Sequence, residues 1–239
     1  RAGLPARVYA PRVTPAPILA QIGTFGAELV LVEGHIGDCA GAARAYASET
    51  GAVDVSTLRE PYRLEGKKTL GLELAEQLAW TLPNAIVYPT GGGTGLIGMW
   101  KAFRELAAVG WLRGTRLPRM YSVQAAGCAP VVRAFQEGAE RCEPWPDPRT
   151  RAAGLRVPSP LGDRLILGAV RESGGAAVAV TDEALMAAAR ELQTVEGIDA
   201  APEGGAALAA AVELRRQGAL GQGDRVVVFN TGASWLYRA

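Results

Sequence analysis

The stretch Ala85–Phe103, AIVYPTGGGTGLIGMWKAF, decides the fold. Apolar and aromatic residues lead into Pro89-Thr90. Three glycines, a threonine and a fourth glycine follow, and then an apolar run with helical spacing from about 95 to 109. Strand, glycine loop and helix in that order make an anion cradle. Consecutive glycines clear side chains away, so that several N–H groups can converge at the positive end of a helix.

Outward from this unit the same alternation repeats. Short apolar runs at 6–10, 27–33, 119–125, 176–180 and 224–233 read as strands, the last as a buried one. Helical patterns fill 16–26, 37–51, 66–82, 129–139, 162–173, 181–197 and 202–218. Leu70, Leu74, Leu78 and Leu82 recur every fourth residue and share one face. Thr181 stands as an N-cap before Asp182 and Glu183, and Pro202 opens the last helix. Residues 143–160 hold five prolines and no period, and read as a long loop. The pattern predicts an α/β fold of open, twisted, mostly parallel sheets with helices on both faces. Ligands bind such sheets at the carboxyl ends of strands. The two ends with unusual chemistry are Pro89–Gly95 and Asn230–Ala233.

Bulk properties exclude several function classes. The 239 residues carry a formal net charge of +1, with no basic patch for nucleic acid. No apolar run approaches the roughly 20 residues of a membrane span. Cys39, Cys128 and Cys142 are dispersed and lack CxxC spacing, so they read as reduced thiols of a cytoplasmic protein. His35 and Cys39 lie four apart with no further His or Cys nearby, and no metal site is expected.

Three phosphate loops compete for the glycines. A Walker loop needs Lys-Ser/Thr after its last glycine, where Met99-Trp100 stand here. A dinucleotide fingerprint fits Gly93, Gly95 and Gly98 but needs an acid at the end of the next strand, which carries Gln124. A single phosphate monoester on backbone N–H groups needs neither.

YPTGGGTGLIGMWKAF resembles the cofactor-phosphate loop of pyridoxal 5'-phosphate enzymes of the tryptophan-synthase-β fold type, and within them the threonine-synthase-like group. The segments at 56–78, 154–175, 197–208 and 226–233 resemble the same group in the same order. The resemblance implies that Gly91, Gly92, Gly93, Thr94 and Gly95 bind the cofactor phosphate and that Thr231 meets the pyridine nitrogen. A hydroxyl there moderates the electron sink. Arg63, in EPYR, resembles an arginine near the substrate phosphate, and Pro202-Glu203-Gly204 would start a helix near the ring.

By the same resemblance, residues 1–56 are the C-terminal part of a smaller domain and 57–239 the larger cofactor-binding domain. The chain is expected to be N-terminally truncated, because the Schiff-base lysine of the family is missing. Lys67, Lys68 and Lys101 all stand in other contexts, and Lys101 reads as a solvated helix residue. The implied activity of the intact protein is conversion of O-phospho-L-homoserine and water to L-threonine and phosphate by a cytoplasmic homodimer. Leu58 and Glu60 depart from the family's polar pattern before Arg63. Threonine/serine ammonia-lyase or diaminopropionate-type elimination, and a non-catalytic phosphate-ligand-binding remnant, therefore stay open.

Overall fold

The computed structural model describes residues 3–237, and its strands form two separate parallel sheets. The first pairs β1 (Arg7–Pro11) with β2 (Glu28–Val32), joined by helix α1 (Ala16–Thr24) and followed by α2 (Ile36–Thr50). Arg7 lies opposite Glu28 in the register and its Nε meets the carboxylate at 2.7 Å. The Arg7 guanidinium also lies 3.9 Å from the Tyr46 ring centroid, which ties α2 to the sheet.

The second sheet has the order β5-β4-β3-β6, with every pair parallel. Its strands are β3 (Ala85–Pro89), β4 (Arg119–Ala125), β5 (Ala177–Val180) and β6 (Val226–Val228). Alternation along β3 and β4 divides the core in two. Ile86 and Met120 face a cluster built with α5 (Thr94–Ala108), α6 (Pro130–Gln136) and α7 (Asp163–Glu172). Ala85, Val87, Tyr121, Val123 and Ala125 face the other way, toward α8 (Asp182–Glu196) and α9 (Pro202–Arg216). Period-two burial on both faces is what a parallel sheet covered by helices requires. No helix among the described residues is long and apolar enough to cross a membrane.

Two elements differ from the sequence pattern. The helix expected over 66–82 is two pieces, α3 (Tyr62–Lys67) and α4 (Thr69–Gln77). Leu70 and Leu74 keep the shared face, but Ala79 and Trp80 take positive φ and end the helix before Leu82. Trp80 there packs edge-on against Trp111, with ring centroids 5.5 Å apart. The strand expected over 224–233 forms a ladder over three residues only, and β6 is an edge strand with Val228 36% exposed.

Candidate functional site

β3 is central in its sheet, and its carboxyl end runs directly into the glycine loop. The Thr90 N–H donates to the Val123 carbonyl at 2.7 Å, extending the β3–β4 pairing one residue beyond the strand. The chain then turns through Gly91, Gly92 and Gly93 and enters α5 at Thr94. Gly93 is the N-cap with φ of 76°, a left-handed conformation that side chains rarely adopt. A Cβ on Gly91 would lie 2.1 Å from the Gly154 carbonyl oxygen. The bare backbone thus brings the first N–H groups of α5, which no helix can pair internally, to the edge of a cleft.

That cleft has a volume of about 300 Å³. All five residues from Gly91 to Gly95 line it, and so does Thr231 beyond β6. Thr231 is exposed at its mouth. The α9 start is held against the same strand exit, since the Ala201 N–H donates to the Gly232 carbonyl at 2.9 Å. A cradle that glycine alone permits, at a helix N-terminus and facing a hydroxyl across a small cleft, fits an aromatic ring bearing one phosphate.

Glu203 carries more of the cleft than its sequence position announces. It is 7% exposed, and its carboxylate accepts the Gly154 N–H at 2.8 Å and the Tyr237 hydroxyl. One buried side chain therefore joins α9, the 3-10 turn Ala153–Leu155 and the 3-10 turn Ser234–Tyr237, each of which lines the cleft. Burial, and then the neighbouring Glu203 carboxylate, push the Tyr237 hydroxyl well above its ordinary range, so it remains a donor.

Gln124 explains why the neighbouring strand end lacks an acid. Its side chain is fully buried; the amide nitrogen donates to the Thr90 carbonyl at 3.3 Å, and the oxygen accepts the Val131 N–H at 2.8 Å. It clips the glycine loop to the start of α6, where a ribose-binding carboxylate would stand in a dinucleotide site.

The remaining sequence candidates lie elsewhere. Arg63 lines no part of the cleft. Its guanidinium donates to Thr57 Oγ1 at 3.2 Å and to the Val55 carbonyl at 2.6 Å. Thr57 in turn is the side chain nearest Gly92, so Arg63 stands one residue removed from the loop. Glu60 accepts the Arg63 backbone N–H at 3.0 Å, in the first turn of α3. His35 likewise begins α2, with its N–H donating to Asp38 Oδ2 at 2.7 Å. Cys39 is buried, and burial raises its thiol.

None of the three lysines lines the cleft. Lys101 and Lys68 share the carboxylates of Glu65 and Glu105 in a solvent-facing network. Exposed pairs of this kind are screened by solvent and contribute little. Lys101→Met should therefore leave cofactor affinity within about twofold of the parent protein, measured by fluorescence titration.

The pattern of the family described as "Pyridoxal-phosphate dependent enzyme" matches residues 1–232. The threonine synthase of Methanosarcina acetivorans is 35% identical over 233 residues, which are 97% of this chain and 57% of that protein. The chain thus spans little more than half the length of that relative. Among solved structures, a threonine deaminase from the organism abbreviated T.th. superposes with a TM-score of 0.70 at 29% identity, over 96% of this chain and 69% of that one. Maize serine racemase gives a TM-score of 0.81 at 24% identity, over 97% of this chain and 67% of that one, a likeness of fold.

Proposed function

Because the chain belongs to the pyridoxal-phosphate dependent enzyme family, we propose that it is the cofactor-phosphate-binding part of a threonine-synthase-like lyase. The intact enzyme converts O-phospho-L-homoserine and water to L-threonine and phosphate. The observation that carries this reading is the glycine loop at the α5 N-terminus facing Thr231 across one cleft. The similarity to a threonine synthase at 35% identity supports the choice of reaction.

In this reading, residues 57–239 form the cofactor domain and residues 1–56 belong to a smaller one. The N–H groups of Gly91 to Gly95 hold the cofactor phosphate, with the α5 dipole adding to their pull. Thr94 lines the same cleft, where its hydroxyl would be a further donor. Thr231 holds the ring nitrogen by a neutral hydrogen bond. Bound there, the cofactor supplies an electron sink for the charge left when a proton leaves a substrate carbon. Glu203 keeps the cleft's three walls in register. The reading gives the covalent role to none of Lys67, Lys68 or Lys101. A small amino-acid substrate, a cytoplasmic setting and a homodimeric intact protein go with it.

A second reading, a β-eliminating ammonia-lyase, is favoured by one local observation. Leu58 takes φ of 59° and packs toward Gly162, and Glu60 is spent on the Arg63 N–H, so neither of these two offers an anion a donor. Assay of the intact protein separates the two. Phosphate release from O-phosphohomoserine with threonine formed is expected. Ammonia release from threonine or serine, with O-phosphohomoserine untouched, would select the second reading.

A further inference from the structure

Gly95 stands in the first turn of α5, where an alanine would serve a helix better. Its φ is not left-handed, so backbone conformation does not demand a glycine there. What forbids a side chain is Tyr88. A Cβ on Gly95 would lie 2.0 Å from the Tyr88 hydroxyl oxygen and 2.5 Å from its Cζ. The hydroxyl of a β3 residue thus rests against the backbone that opens α5, and both residues line the cleft.

The phenol ring is held in place. β3 lies inside its sheet, and the Phe229 ring meets the Tyr88 ring edge-on, with centroids 5.3 Å apart. Its oxygen, by contrast, makes no hydrogen bond to a described residue. Tyr88 is half-buried, and a hydroxyl withdrawn from water without an acceptor is unfavourable until something supplies one. Burial raises the hydroxyl above its ordinary range, so it stays protonated and can donate. Beside it, the first N–H of α5 to reach a carbonyl is that of Ile97, on Gly93, which leaves those of Thr94 and Gly95 unpaired. A side-chain donor and backbone donors therefore stand together at one end of the cleft, all without an acceptor.

We infer that the Tyr88 hydroxyl is a side-chain donor of the phosphate cradle, bonding a phosphate oxygen beside the N–H groups of Thr94 and Gly95. The inference rests on the cofactor reading proposed above and adds to it a residue from outside the glycine loop. Gly95 is then a glycine for the tyrosine's sake, since its bare Cα is what lets the hydroxyl reach the helix start. A hydrogen bond to an ionised acceptor is about twice as strong as one between neutral groups. A ring already fixed by its strand and by Phe229 brings that donor with little ordering left to do.

The test uses the intact protein freed of cofactor. It is titrated by fluorescence with pyridoxal 5'-phosphate and, separately, with pyridoxal, which carries a hydroxyl where the other carries its phosphate. Tyr88→Phe keeps the ring and its contact with Phe229 and removes only the oxygen. It should bind pyridoxal phosphate about tenfold more weakly than the parent, and pyridoxal within about twofold. The phosphorus-31 resonance of the bound phosphate should move with the substitution. Urea unfolding of the cofactor-free variant should match the parent, because the lost hydroxyl has no protein partner to strand. The inference is overturned if both ligands weaken alike, or if the variant unfolds earlier and binds less through instability. A preference for pyridoxal phosphate over pyridoxal that is the same with and without the hydroxyl would keep the glycine-loop reading and remove this inference alone. A parent that binds the two ligands equally would sink that reading, and this inference with it.

Discussion

Gly91→Ala is expected to be the most damaging small substitution in the site, for the fold and for cofactor binding together. The added Cβ would stand 2.1 Å from the Gly154 carbonyl oxygen and 3.1 Å from Val157 Cγ2. The first of these is backbone, held by the Glu203 carboxylate through the Gly154 N–H, so it cannot swing aside. Loop and turn must separate, at about 3 kcal/mol for a strained, overpacked contact. The same movement turns N–H groups away from the phosphate. Each charge-assisted bond lost removes about 1.5–3 kcal/mol, so affinity for the cofactor should drop by about a hundredfold. Gly92→Ala is the internal control, because its Cβ would meet only Thr57 Cγ2, at an ordinary 3.6 Å. Urea unfolding should find Gly92→Ala close to the parent and Gly91→Ala clearly weaker. Equal stabilities would show that the loop and the 153–155 turn do not press on each other.

Glu203→Ala is expected to rival it in stability. It removes the acceptor for the Gly154 N–H and the Tyr237 hydroxyl at a position 7% exposed, and the Tyr237 hydroxyl is left half-buried. Two hydrogen bonds to a charged group amount to about 3 kcal/mol. Glu203→Gln keeps one oxygen acceptor and should cost about 1 kcal/mol. Chemical denaturation gives both numbers. If Ala and Gln variants unfold at the same denaturant concentration, the carboxylate is not what joins the three walls. Tyr237→Phe should reproduce only the smaller part of the loss.

Most of the architecture is legible in the chain, because it is written in local periods. The alternation of strands and helices gives the parallel sheet and the two-faced core, and the glycine run marks the loop into α5. What local pattern conceals is the neighbour. Leu78 and Leu82 continue the spacing of Leu70 and Leu74, yet Trp80 turns out of the helix toward Trp111. Residues 224–233 read as a buried strand, yet the ladder is the short edge strand Val226–Val228, with one side open. The glycine loop and Thr231 are near one cleft, as their motifs imply, while Arg63 is turned to its own loop. Glu203 and Gln124 act through contacts to residues far away in the chain, across 49 and 34 positions, and no spacing rule reaches them.

The central claim is that the loop from Gly91 to Gly95 seats a cofactor phosphate. A crystal structure of the intact protein with pyridoxal phosphate bound tests it most directly. The account predicts phosphate oxygens within hydrogen-bond distance of the N–H groups of that loop, the ring lying in the cleft and its nitrogen facing the Thr231 hydroxyl. A cofactor phosphate found instead on Arg63, with the glycine loop empty, would contradict it.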